Sequence, residues 1–234
     1  MNALDSLTPS DVSVVIPALN EASNIQSAVA SCVRNGAGQI LVSDGGSQDG
    51  TPELATESGA DVIQTPRGRG TQTANGAELA TGSVILFLHA DNRLTDGSLD
   101  ALCNVARSHE PGKPFWGGFR QHITDPRRIY RWLEWGNAAR VRVRGIPFGD
   151  QAIFVQADLY REVGGVPKVP LMEDVRLAQR LRREGWPVLV EATVEVDARR
   201  WQKRGVVHQT ARNWVIQVAD LAGISEARLV KWYR

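Results

Sequence analysis

Asp91 closes the apolar run Leu86-Phe87-Leu88, two residues after His89, and Asn92 follows it at once. In an open α/β sheet, ligands sit beyond the carboxyl ends of the strands, so an acid there faces the binding crevice and is a candidate ligand for a metal or a phosphate-bound cation. Turn chemistry alone also explains an Asp in that place. Repetition separates the two readings, because two earlier strands also run out into polar groups. The first leads into Pro17-Ala18-Leu19-Asn20-Glu21, where Asn as a helix cap and Glu near the helix dipole are the plain alternative. The second leads into Asp44-Gly45-Gly46-Ser47-Gln48-Asp49-Gly50-Thr51. Its glycines let backbone approach a ligand, and a simple connection needs fewer Gly and Asp residues. Arg67-Gly68-Arg69-Gly70, followed by Gln72 and Asn75-Gly76, puts guanidinium groups beside a helix start, where anions bind. Solvated surface arginines are the alternative here.

The elements that must position these groups alternate. Residues 12–16 read as a buried strand ended by Pro17, and Ile25, Ala28, Val29, Cys32 and Val33 then recur at helical spacing up to Gly36. Residues 39–43 form the next strand, Thr51-Pro52 opens a short helix that Gly59 closes, and 61–64 is a third strand. A helix over 71–80 precedes the strand at 84–88. Strands alternating with helices predict an α/β fold, a Rossmann-like, mostly parallel sheet with helices on both faces.

Beyond Asn92 the pattern loosens. Leu99, Leu102, Val105 and Ala106 mark a helix, 116–123 is extended, and 127–144 is a strongly basic helix. Residues 151–155 read as strand, 158–163 as a helical turn, 173–184 as a helix, 188–196 as strand and 206–234 as two amphipathic helices around Gly223. The expectation is a single domain with a regular, nucleotide-type half at 11–92, a less regular half at 93–204 and a helical carboxyl end at 205–234.

With 234 residues and a net charge of +1, the chain can bury a full core and is not a general nucleic-acid binder. Cys32 and Cys103 lack metal-ligand spacing and read as reduced core residues, which together with a polar amino terminus points to a cytoplasmic protein. No apolar stretch approaches the about 20 residues needed to cross a bilayer, so any membrane contact is peripheral.

The ordered set Val14-Val15-Ile16-Pro17-Ala18-Leu19-Asn20-Glu21, Val42 to Thr51, Arg69-Gly70 and Leu88-His89-Ala90-Asp91 resembles the nucleotide-binding half of family 2 glycosyltransferases, which have the GT-A fold. The resemblance implies that Pro17, Ala18, Asn20, Glu21, Asp44, Arg69, Gly70 and Ala90 hold a nucleotide-diphosphate sugar of UDP or GDP type. It also implies a divalent cation, Mg²⁺ or Mn²⁺, on an Asp-x-Asp motif whose second acid is Asp91 and whose first is replaced by His89. Gly149-Asp150-Gln151, Gly164-Gly165 with Pro167, and Met172-Glu173-Asp174 look like the acceptor-side pattern of the same family, with Asp174 as general base for a hydroxyl acceptor and inversion at the anomeric carbon. Acids enriched at a helix start are the structural alternative. His208 falls where some relatives place an extra metal ligand. Arg199-Arg200-Trp201 is similar to part of the Gln-x-x-Arg-Trp motif of processive members, but the Gln is missing, so no polymer synthesis is inferred. Chain length and the His-Ala-Asp variant bring the sequence nearest to small bacterial members found beside radical-SAM or selenium-related genes.

Other readings stay open at this point. A sugar-phosphate nucleotidyltransferase has a similar sheet but a Gly-rich basic loop after its first strand, and a nucleotide-sugar-binding protein without turnover would fit the His89 change. A dinucleotide oxidoreductase lacks support, since no Gly-x-Gly-x-x-Gly follows a strand. Arg127, Arg128, Arg131, Arg140, Arg142 and Arg144 are a solvated face or an attractor of phosphorylated acceptors or anionic membrane; Trp132 and Trp135 either stack on sugar or pack inside. The carboxyl-terminal apolar stripes read as core cover or a homodimer contact.

Overall fold

The computed structural model describes residues 4–169 and 171–199. The expected helices at 206–234, His208 and Trp201 lie outside the described residues.

Strand β1 (Val12–Ala18) is flanked by β2 (Gln39–Asp44) and β4 (Val84–Phe87), with β3 (Asp61–Gln64) outside β2, and all four run parallel. Helices α1 (Ile25–Arg34), α2 (Thr51–Glu57) and α3 (Arg69–Glu78) connect them. Successive side chains of a strand point to opposite faces, and both faces are covered. Val12, Val14 and Ile16 lie in a core with α1, α2 and α4 (Ser98–Arg107); Val15, Leu41 and Ile85 lie in a second core under α3, α6 (Ala157–Glu162) and α7 (Glu173–Glu184). Cys32 and Cys103 are buried free thiols on α1 and α4, and burial pushes them up to about 12 and about 11.

Pro17, expected to end β1, lies inside it opposite Ser43. The Val15 carbonyl accepts the Leu88 N–H on the β4 side, whereas the Ala18 carbonyl accepts the Gly45 N–H on the β2 side. By the two-residue period Pro17 shares the side of Val15, beyond the last β4 pair, so its missing N–H removes no ladder bond.

The remaining strands β5 (Asn92–Leu94), β6 (Trp116–Ile123), β7 (Phe154–Gln156) and β8 (Val188–Val196) complete one sheet in the order β3-β2-β1-β4-β7-β6-β8-β5. The β7 strand is antiparallel to β4 and β6, β8 is parallel to β6, and β5 is antiparallel to β8. The sheet is thus parallel through its first four strands and mixed beyond them. Helix α5 (Arg128–Arg144) packs on β6. Four interstrand steps separate β4 from β5, about 19 Å in a flat sheet. The chain from Phe87 to Asn92 reaches at most about 17 Å and is shortened by the His89–Asn92 turn, so the sheet curls back on itself. The far edge accordingly meets α1: the Leu94 N–H donates to Ser31 Oγ at 3.1 Å, and Asn35 Nδ2 to the Thr95 carbonyl at 3.2 Å.

Candidate active site

The loops after β1 and β2 are fastened to each other. The Asn20 N–H donates to Ser47 Oγ (2.8 Å) while Asn20 Oδ1 accepts the Gln48 N–H (2.9 Å). The Glu21 N–H donates to Thr51 Oγ1 (2.9 Å), and the Ala22 N–H to Asp49 Oδ2 (3.0 Å). Asp44 is fully buried and turned onto its own loop, accepting the Gly46 and Ser47 N–H groups and the Ser47 hydroxyl. Gln72, one turn into α3, bridges both strand ends: its Nε2 donates to the Ala18 carbonyl (2.6 Å) and the Ser43 carbonyl (2.9 Å). Sequence reasoning grouped Gln72 with an anion-binding loop and missed this brace, because its signal is only a lone amide on a helix, far in sequence from the two strand ends it joins.

A cavity of about 230 Å³ opens at the carboxyl ends of β1 and β4. Pro17, Ala18 and Glu21 line it from the first loop, Arg69 from α3, and His89, Ala90 and Asp91 from the turn after β4. Leu19, Arg67, Gly68 and Gln72 also line it. A smaller space of about 20 Å³ shares Pro17 and His89 with it and reaches Gly149, Glu173 and Asp174. Asn20, Asp44 and Gly70 stand behind this wall rather than in it. Gly70 is where α3 meets the loop before α7: a Cβ there would lie 2.7 Å from the carbonyl oxygens of Pro167 and Val169.

Gly149 is the point at which both halves meet. A Cβ on it would lie 2.6 Å from His89 Nε2 and 2.8 Å from Asp174 Oδ2. Its N–H donates to Asp174 Oδ2 at 2.7 Å, and the Val175 N–H donates to Asp174 Oδ1 at 2.9 Å. Burial alone would raise the Asp174 pKa, but the Arg69 guanidinium, the Gly149 N–H and His89 outweigh it and hold the carboxyl below its usual range. Desolvation and Arg69 push His89 down, against the pull of Asp91, Asp174 and Asp150, which leaves a neutral imidazole at neutral pH. Arg69, at the start of α3, ion-pairs with the buried Glu173 at the start of α7. Burial raises the Glu173 pKa although Arg69 opposes it, and Glu173 Oε2 has no hydrogen-bond partner.

Asp150 and Gln151 play other parts. The Asp150 carbonyl accepts from Gln121 Nε2 (3.1 Å) and Asn92 Nδ2 (3.4 Å). Gln151, expected in a strand, lies in a short 3₁₀ helix, fully buried, with its Oε1 accepting from Arg140 (2.7 Å) and the Phe148 N–H (3.2 Å). Arg140 does not belong to the basic surface. Its guanidinium lies 3.4 Å from the centre of the Phe148 ring, and burial pushes its pKa down to about 10 against the pull of Asp150 and Asp174. Trp132 and Trp135, by contrast, are exposed.

Among the described residues no group of three His, Cys, Asp or Glu side chains forms a closed metal cluster. His89 and Asp91 nevertheless line one cavity. The Asp91 carboxylate suits a hard divalent cation that takes its other ligands from a diphosphate and water, and an imidazole beside it favours Mn²⁺ over Mg²⁺.

The sheet, its helices and the cleft at the strand ends define a GT-A type fold. TarS residues 1–349 from S. aureus superimpose with a TM-score of 0.64 at 14% identity, over 80% of this chain and 60% of that one. Glucosyl-3-phosphoglycerate synthase from Mycobacterium tuberculosis, solved with Mn²⁺, UDP and glucosyl-3-phosphoglycerate, gives 0.58 at 20% identity over 81% and 73%. At the sequence level, residues 13–155 match glycosyl transferase family 2. The chain belongs to that family. It is 29% identical over 164 residues to the PGL/p-HBAD biosynthesis glycosyltransferase of Mycobacterium bovis BCG, covering 65% of this chain and 61% of that one. It is 39% identical over 72 residues to glycosyltransferase AglJ of Haloferax volcanii, covering 30% and 24%. The matches thus span about six tenths and about a quarter of these two relatives.

Proposed function

We propose that the chain is an inverting glycosyltransferase that moves a sugar from a nucleoside-diphosphate donor, of UDP or GDP type, to a hydroxyl acceptor. The observation that carries this reading is the meeting of Asp174 with His89 at Gly149, beside the cavity that Arg69 and Asp91 line. The nucleotide lies over Pro17, Ala18 and Glu21, with Asn20 and Asp44 shaping the loops behind, and Arg69 and the start of α3 at Gly70 face the diphosphate. Asp174, ionised and fixed by two backbone N–H groups, takes the acceptor proton while the acceptor oxygen bonds to the anomeric carbon and the bond to the diphosphate oxygen breaks on the opposite face. Its low pKa makes it a base that receives the proton late, when the attacking oxygen has become acidic. Glu173 keeps Arg69 at the cavity, and Ala90 presents the backbone between His89 and Asp91 to the donor. Asp91 and His89 are the residues that would hold Mg²⁺ or Mn²⁺, which would offset the charge of the departing diphosphate; His208 is a further candidate from outside the described residues. We set the acceptor side at Gly149, with Asp150 and the buried Gln151 holding the turn behind it, and divide the two halves near residue 92.

Asp91→Asn and Asp174→Asn are each expected to lower release of nucleoside diphosphate from UDP- or GDP-sugars by at least about 100-fold, with unchanged circular dichroism. Full turnover in both variants overturns the assignment. The two buried free thiols support a cytoplasmic location, and chain length with the His-Ala-Asp variant supports kinship to members encoded beside radical-SAM or selenium-related genes.

A further inference from the structure

Helix α5 carries two apolar faces. Tyr130, Ala138 and Val141 are buried toward β6, whereas Trp132, Trp135 and Val143 on the other side are 70%, 63% and 75% exposed. At 100° per residue these three, together with Ile129, Gly136 and Ala139, fall on one stripe along a helix of about 25 Å. The two indole rings already touch edge to face, with centroids 6.2 Å apart at 80°. Elsewhere among the described residues, large exposed apolar side chains stand singly, and Trp186 is covered by the Arg182 guanidinium at 3.7 Å.

The charges that α5 itself presents around the stripe are guanidinium groups, and the one exposed acid described beside them, Glu191 of β8, is held by Arg142 and Arg120. Arg128 and Arg144 stand at its two ends, and among the described residues neither has a carboxylate within ion-pair distance. Arg131 and Arg142 flank it and already meet Glu134 and Glu191. Glu134 is the sole acid of α5, and it turns inward to the Ile123 N–H. Indole rings flanked by guanidinium groups suit the boundary between lipid headgroups and acyl chains, where an apolar ring is buried and a cation meets phosphate. A protein groove would have to match a shallow stripe that offers no acid and, outside the indole N–H groups, only cations as polar contacts.

We propose that the outer face of α5 docks the protein on an anionic phospholipid bilayer. The test is flotation of the full chain with vesicles of phosphatidylcholine alone and of equal parts phosphatidylcholine and phosphatidylglycerol. The chain floats with the anionic vesicles, less so as salt rises, and stays behind with neutral ones. Trp132→Ser with Trp135→Ser lowers the bound fraction at least about 10-fold with an unchanged melting temperature, since both rings are exposed. Arg128→Gln and Arg144→Gln each weaken binding about fivefold. Three results overturn the proposal: no flotation, flotation unchanged in the tryptophan double variant, or a wild-type dimer in light scattering that the double variant turns into a monomer. Absence of flotation together with a double variant that melts well below wild type assigns the face to the rest of this chain.

Discussion

The two sides of the cleft solve the same problem in opposite ways. On the β1–β2 side nearly every polar group near the ligand space has a partner inside the protein: Asn20, Glu21 and Asp44 are engaged with the neighbouring loop, and Gln72 braces both strands. Its one non-glycine residue with positive φ is Asn20 (φ 53), a type that tolerates that region. On the β7–α7 side, Ala152 (φ 45) and Met172 (φ 63) take positive φ without such tolerance, and Glu173 Oε2, Asp150 Oδ1 and Asn92 Oδ1 are buried with no hydrogen bond. On the first side only Ser43 Oγ is buried without a hydrogen bond among the described side chains, and a wall so nearly self-satisfied suits a preformed binding surface. The unmet polarity opposite it suits a wall whose partners arrive with the second substrate.

Small residues probe that contrast most directly. Gly149→Ala drives a methyl group between His89 and Asp174, and a displacement near 1 Å at a reacting group costs about 100-fold in rate. Steady-state release of nucleoside diphosphate should fall by that order; an unchanged rate would show that the two side chains do not act together. Gly76→Ala, on the other side, pushes a Cβ to 2.5 Å from Ser43 Oγ and Val15 Cγ1, where α3 seats on β1 and β2. Overpacking of this kind costs about 1–3 kcal/mol, and it should appear in denaturant midpoints as lost stability. The smallest effect is electrostatic. Arg120 and Arg142 hold Glu191 below its usual range, so this group stabilises the fold above about pH 4.5, and the contribution is lost as pH falls through its lowered pKa. Because Glu191 is 65% exposed, Glu191→Gln should remove less than about 1 kcal/mol, and high salt should erase the difference.

Legibility in the sequence follows the same division. The spans of β3, β6, α7 and β8 match the sequence reading, because each has a clear period and polar or Gly/Pro boundaries. The β5 strand escaped it: three residues carry no period, and the partner, β8, lies about 100 positions away in the chain, so only the closed sheet reveals the pairing. The start of β7 was placed three residues early because Gln151-Ala152-Ile153 reads as apolar strand, while the chain first coils through Gly149–Gln151 and bends at Ala152. The cavity residues Pro17, Ala18, Arg69, His89 and Asp91 were legible as strand ends and loop chemistry. Gln72 and Arg140 were not, since what marks them is a buried polar contact across long sequence separation rather than any local pattern.

The curl that returns β5 to α1 bears on how such a chain can change. Because Leu94 and Thr95 bond to Ser31 and Asn35 while β5 pairs with β8, residues immediately after Asp91 are stitched to the first helix and to the last described strand at once. Exchanging everything beyond residue 92 for another protein's sequence would have to reproduce both seams in register. Changes confined to the segments at 145–152 and 163–169 leave both seams in place, which makes them the simpler route to altering the proposed acceptor side.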